Sequence, residues 1–375
     1  MHFRFLTSTP LDIVRGSGTF AGISTLVKFL RKSGHTVDLV TPTFRFPIYT
    51  VERMVFNEML RFRSQASNTV TVGFDMDGYS LAGTGRGFHV ASIKGVIADE
   101  MRFETGLTRT TMRLQARCEK LHVQRAALLI APSRYAASRI QELYSIRKPP
   151  SVIPEPIDLT NWRALLQLTP AQPLAGQPSE EKFVVLCVCR FYPRKRLHIL
   201  LSAAARLRFK IPSLEVHIVG DGPEAARLKS ICRKQGLEGI VRWLGNLSQA
   251  ELAREYNSCH CFCLPSVQES FGIVFLEAMA SGKPIIAARA ASAPEVVKHG
   301  ILVPPEDDAA LAEAIERLHN DAALREAIAA EGLDSVKQFD GPLIAQAFLD
   351  ELDRAIRNQS TGRLNPIALP QNKRG

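Results

Sequence analysis

The sequence has no apolar run approaching the ~20 residues that a membrane-spanning helix needs. Its first residues, Met1 to Thr7, turn polar too quickly for an export signal and read instead as a buried strand. Aromatic residues are scarce, at 7%, and do not alternate with basic ones, so the stacking platform of a nucleic-acid binder is not expected. Cysteine is present in an odd number, seven, with no second pair at zinc-site spacing. With no export signal, reduced thiols in a cytosol are expected, and no metal site is expected. Cys187 and Cys189, like Cys259, Cys261 and Cys263, alternate as small buried residues do along a strand. Acidic residues are outnumbered, 37 against 47 basic, for a net charge of +10. Such a surface favours an anionic donor, an anionic acceptor or acidic lipid headgroups.

What is there is a chain of 375 residues, enough for two α/β domains. Strand-like apolar runs alternate with helical segments, the mark of parallel sheets covered by helices. In the first half they fall near 2–7, 36–41, 69–74, 88–93 and 127–131. In the second they fall near 183–188, 214–219, 240–244, 259–264, 285–288 and 301–303. Residues 165–181, with Pro170, Pro173 and Pro178, read as a linker between domains 1–164 and 182–340. An amphipathic helix is expected over 341–358 and a loose polar tail over 359–375. Ser248 and Glu251 have capping-box spacing for a helix reaching Asn257, and Pro223 stands near the expected first position of another. Two doubly wound domains bind ligands at the carboxyl ends of their strands, so the cleft between them is the expected site.

Several residues at those strand ends carry chemistry. Arg190 follows one strand, with Lys195 five residues on; together they suit a diphosphate, the first as a bidentate fork and the second as a point charge. Gly220, Asp221 and Gly222 form a turn after the next strand. Glu269 and Glu277 stand eight apart across a strand-to-helix junction, Glu277 about two turns into the helix. The amides of Ser270, Phe271, Gly272 and Ile273 open that helix toward an anion. Glu277 among apolar neighbours is costly to bury unless it serves a ligand, such as ribose hydroxyls.

This constellation, with Gly282, Pro284, Pro294, Glu295 and Val296 behind it, resembles the retaining GT-B glycosyltransferases of family 4, the glycosyl transferases group 1. The resemblance implies two facing Rossmann-like domains with a deep cleft. It implies that Arg190 and Lys195 hold the phosphates of a UDP- or GDP-sugar. It places Glu269 on the transferred hexose-type sugar, Ser270 to Ile273 along the same pocket, and Glu277 on ribose. It also implies that the last helix crosses back onto the first domain. In the first half, Gly16, Ser17, Gly18 and Gly22 resemble the family's glycine loop ahead of a helix, with only Gly18 matching its glycine pair. Ser17 is one departure from the family, Pro156 in place of a glycine is another, and two more follow. Lys94 stands where many relatives have a histidine near the sugar, and Glu155 stands where an asparagine is usual. Lys94 is expected at a donor oxygen or an acidic acceptor, with a solvent-facing role as the alternative. Asp75 and Asp77 are expected on the acceptor side, or simply solvated.

The implied reaction is metal-independent transfer with retention, by positioning and by stabilisation of the leaving diphosphate, without a cofactor. The acceptor is expected to be a glycan or lipid-linked. Residues 43–63, with Phe44, Phe46, Ile48, Tyr49, Arg45, Arg53, Arg61 and Arg63, form one half of a candidate membrane face, with a soluble basic face and ordinary core aromatics as the alternative. Arg109, Arg113, Arg117 and Lys120 form the other. Two other readings compete. One is a catalytically silent nucleotide-sugar binder. The other is a dinucleotide-dependent oxidoreductase built on Gly16, Gly18 and Ala21, although that fingerprint should follow its strand directly.

Overall fold

The computed structural model describes residues 1–10, 13–44, 46–62, 69–85, 87–169 and 182–360. Among the described residues, twelve strands form two six-stranded sheets. The first contains β1 (His2–Leu6), β2 (Thr36–Val40), β3 (Thr69–Phe74), β4 (His89–Ser92), β5 (Leu128–Ala131) and β6 (Ser151–Val152). The second contains β7 (Phe183–Val188), β8 (Leu214–Val219), β9 (Val241–Gly245), β10 (Cys261–Leu264), β11 (Ile285–Ala288) and β12 (Ile301–Val303). The short β6 carries no run long enough to register in the sequence pattern.

All neighbouring strands are parallel. Parallel sheets are covered on both faces, which is why β3, β8, β10 and β11 are buried at every residue instead of alternating. Cys187, Cys261 and Cys263 belong to this strand core. The second sheet runs β12-β11-β10-β7-β8-β9, the dinucleotide-fold order, and reverses between β7 and β10. The first runs β2-β1-β3-β4-β5-β6 and reverses between β1 and β3. A crevice opens beyond the strand ends at each reversal.

The chain passes between the sheets twice, and the two crossings touch. Ile157 N donates to Phe339 O (2.9 Å), and Gly341 N donates to Ile157 O (2.8 Å). The helix Gly341–Ser360 then buries Ile344, Phe348, Leu349 and Leu352 at helical spacing. Phe348 meets Phe3 of β1 (6.1 Å between ring centroids), so this helix completes the first core. Gly341 is needed there because a Cβ would fall 2.1 Å from the Phe29 ring.

Local readings differ from the sequence in three places and agree in a fourth. Gly16, Ser17, Gly18 and Gly22 lie inside the helix Ile13–Lys32, not in a loop before it. Residues 165–168 of the expected linker belong to the helix Leu159–Leu168, whose Trp162 is buried; 170–181 lie outside the described residues, as do 361–375 of the expected tail. The helix after β8 begins at Ala225, two residues beyond Pro223, because Phe191 O holds Glu224 N first (3.0 Å). The Ser248–Glu251 capping box is present and opens the helix Gln249–Ser258.

Candidate functional site

The contacts between the two domains join strand-end loops of one sheet to strand-end loops and helix starts of the other. Ser133, after β5, donates its hydroxyl to Ser270 O, after β10 (2.6 Å). Arg194, after β7, pairs with Glu100, beyond β4 (3.2 Å). Glu295 of the second domain accepts from Tyr135 N (2.6 Å) and Arg134 N (2.8 Å), the first amides of the helix Arg134–Tyr144. A carboxylate there meets orphan amides and the positive end of the helix dipole. The two crevices therefore face one another.

The loop after β7 is shaped by backbone packing. Gly220 has φ +116°, and a Cβ on it would sit 2.0 Å from Cys189 O; one on Gly222 would sit 2.6 Å from Phe191 N. Only glycine lets the β8 turn lie this close under Arg190. The next residues form the 3-10 turn Pro193–Lys195. Arg194 O accepts from Val267 N (3.0 Å) and Ser266 Oγ (3.2 Å), which staples the β7 loop to the β10 loop. Lys195 Nζ thereby reaches the Glu269 carboxylate as a half-shielded ion pair. Arg190, Lys195 and Glu269 thus stand at the β7/β10 reversal.

Gly272, at φ +89°, ends the β10 loop, and Ile273 opens the helix Ile273–Ala280. Glu277 is its fifth residue, little more than one turn in, because the helix starts later than the sequence suggested. Burial lifts its carboxyl to about 7, partly offset by the Tyr256 hydroxyl at 3.2 Å. Ser270 Oγ and Gln268 Nε2 are buried without a hydrogen-bond partner, in the loop that carries Glu269. Orphaned polar atoms are uncommon in folded proteins.

On the first domain, Gly18 faces Ile273 across the cleft, with its would-be Cβ 4.0 Å from Ile273 Cδ1. Lys94 is not solvated. Its ammonium grips both oxygens of Glu155 (2.8 and 2.9 Å), so two of the chain's departures from the family pattern are partners. Asp75, just after β3, is half-buried with φ +53°, and its Oδ1 accepts from Lys94 N (2.7 Å) and Gly95 N (3.1 Å). Desolvation raises its carboxyl to about 6.

Asp77 departs from expectation. It is fully buried, accepting from Ser8 N (2.7 Å), Ser8 Oγ (2.6 Å), Asn57 Nδ2 (3.0 Å) and Arg53 (3.4 Å). Arg53 accordingly leaves the expected membrane face and lies inside this network, against Gln115 (3.0 Å). Phe44 also turns inward, while Arg45 and Arg63 lie outside the described residues. Sequence reasoning missed Arg194, Glu100, Ser133 and Tyr256, because nothing local marks a residue whose partner lies across a cleft. Among the described residues, no group of three or more His, Cys, Asp or Glu is placed to hold a metal ion.

Two facing parallel sheets with this crevice define the GT-B glycosyltransferase fold. Residues 172–334 match the family model of glycosyl transferases group 1. The chain is 33% identical over 197 residues to a phosphatidyl-myo-inositol mannosyltransferase of Mycobacterium leprae, covering 52% of each chain. It is 34% identical over 194 residues to a lipopolysaccharide core biosynthesis glycosyltransferase of Rhizobium meliloti, covering 50% of this chain and 55% of the relative. The chain thus spans about half the length of the curated relatives it matches. Among solved structures, sucrose-phosphate synthase of Thermosynechococcus elongatus superposes with TM-score 0.79 at 21% identity, over 96% of this chain and 99% of that one. HepE of Anabaena, solved with UDP and glucose, superposes with TM-score 0.73 at 21% identity, over 94% and 100%.

Proposed function

We propose that the chain is a retaining, metal-independent glycosyltransferase. It moves a hexose-type sugar from a UDP- or GDP-sugar to a glycan or lipid-linked acceptor. The observation that carries this reading is the convergence of Arg190, Lys195 and Glu269 at the β7/β10 reversal, beside the opening turn of the helix Ile273–Ala280. When the donor enters, Lys195 leaves Glu269 for the diphosphate, and Glu269 turns to the sugar hydroxyls. Arg190 and the amides near Gly272 share the phosphate charge as it develops on the leaving group. Gly18 lines the opposite wall, and Glu277 receives the ribose hydroxyls. Lys94 borders the sugar. With cationic side chains meeting the diphosphate, a divalent ion has no charge left to balance. The leaving phosphate itself takes the acceptor proton, and domain closure excludes water.

The acceptor face lies on the first domain. Two of its helices and their ends expose Ile48, Tyr49, Met59, Phe62, Leu107 and Leu114 beside Arg61, Arg109, Arg113 and Arg117. Apolar tips among arginines fit peripheral attachment to an acidic membrane, on the cytoplasmic side where the free thiols stay reduced. No helix among the described residues is long and apolar enough to cross a membrane. The reading is tested by thermal shift and calorimetry with UDP, GDP and ADP, followed by donor turnover with proton NMR of the product anomer. One nucleotide is expected to stabilise the protein, and the product is expected to keep the donor's anomeric configuration. No response to any nucleotide at millimolar concentration overturns the reading.

A further inference from the structure

The Lys94–Glu155 pair is buried, with the lysine side chain 10% and the glutamate 6% exposed, and it belongs to neither sheet's core. Glu155 lies on the first chain crossing, between β6 and the helix Leu159–Leu168. Lys94 lies just beyond β4, its ammonium 5.5 Å from the Phe74 ring centre. A Cβ at Gly22 would fall 2.1 Å from Glu155 Oε2 and 3.4 Å from Ile273 Cδ1. The carboxylate and the first residue of the helix Ile273–Ala280 therefore share one contact zone. The ion pair thus stands near the side chain of Ile273, whose amide is among those proposed to meet the donor phosphates.

A lone ammonium at this position would add a cation to a site already holding Arg190 and Lys195. That matters more for the product than for the donor. A sugar nucleotide has its terminal phosphate esterified. Once the sugar has left, that phosphate gains up to one further negative charge, since its second proton dissociates near pH 6. Each added cation thus strengthens the hold on the product more than on the substrate and slows release.

We propose that Glu155 is a specificity-determining residue of this site: by neutralising Lys94 it sets the discrimination between nucleoside diphosphate and nucleotide sugar and keeps the diphosphate product free to leave. This inference rests on the transferase reading above. Glu155 acts through Lys94 and touches neither ligand, so it is a positioning residue.

The test is calorimetry on the full chain with UDP against UDP-glucose, and GDP against GDP-mannose. It compares the wild type, Glu155→Gln, Lys94→Met and the double variant. Glu155→Gln is expected to tighten diphosphate binding roughly tenfold and sugar-nucleotide binding less, the scale of one nearby charge in a half-shielded cleft. Lys94→Met is expected to weaken both. The double variant, with no charge at either position, is expected to return within about threefold of the wild type, as coupled charges do. A merely structural pair would alter stability without changing the ratio of the two affinities. Should Glu155→Gln fail to fold with its buried lysine unpaired, Lys94→Met and the double variant carry the same comparison. If the wild type binds nucleotides and the ratio is unchanged in every folded variant, the inference is overturned while the transferase reading stands. If the wild type binds neither pair of ligands, the transferase reading fails and this inference with it.

Discussion

Lys195 and Glu269 are held in a salt bridge across 74 positions of sequence, one on the loop after β7 and the other on the loop after β10. Because the two strands are neighbours at the point where the strand order reverses, their carboxyl-end loops are forced together. In the absence of ligand each residue satisfies the other. In the proposed function a sugar nucleotide draws both out of this pair.

Lys195→Ala is therefore expected to weaken nucleoside diphosphate binding by roughly ten- to a hundredfold, the loss of one charge-assisted contact. Glu269→Gln is expected to leave diphosphate affinity within a few-fold and to lower kcat by at least about a hundredfold, because its partner is the sugar. Calorimetry with steady-state kinetics separates the two effects. Equal loss of diphosphate affinity in both variants would contradict this division of labour.

Glu277 makes binding and stability depend on pH in opposite directions. Burial raises its folded-state carboxyl to about 7, above the unfolded value near 4.5. The folded protein holds this proton more tightly, so its contribution to stability is complete at low pH and is lost as pH rises through 7. In melting curves from pH 4 to 8, Glu277→Gln is expected to gain on the wild type as pH increases. Nucleotide affinity of the wild type is expected to rise over the same range, since the ionised carboxylate is the better acceptor for ribose hydroxyls. A melting-temperature difference independent of pH would refute the assignment.

Asp77 is expected to behave as a structural residue. Its carboxylate answers Arg53 and three other groups in the interior. Asp77→Ala leaves the Arg53 cation buried and unpaired, and should cost about 3–5 kcal/mol of stability. Denaturant unfolding measures this. The double variant Arg53→Met/Asp77→Ala should recover part of the loss; no recovery would mean that the ion pair is not the source.

Glu295 reports on the cleft. It caps a helix of the opposite domain through two backbone amides, and Glu295→Ala should loosen the contact by about 1–2 kcal/mol. Solution scattering should then show a larger radius of gyration without nucleotide, and less change when nucleotide is added. Scattering curves identical to the wild type would show that Glu295 does not hold the domains together.

The strands were legible because a buried parallel strand is a short, nearly continuous apolar run, as in Phe183 to Val188 and Leu214 to Val219. The Ser248–Glu251 cap was legible because both partners lie within one helical turn. The start of the first helix is not legible in the sequence, since glycines at 16, 18 and 22 argue locally for a loop and the helix is decided by packing. The burial of Asp77 and Arg53 is not legible either: charge in a sequence reads as exposure until a buried partner is known.

By itself, the sequence determined the alternation of strands and helices and the kinds of side chain available at each strand end, because both depend on residues within a few positions of one another. The tertiary structure alone decided which of those side chains meet. Glu155 neutralises Lys94, Glu295 crosses to a helix of the other domain, and Arg194 reaches Glu100, because strand order and the double crossing of the chain bring distant loops to one cleft. Hydrogen bonds and ion pairs are set by distances of a few ångströms in space, and separation along the chain does not encode them.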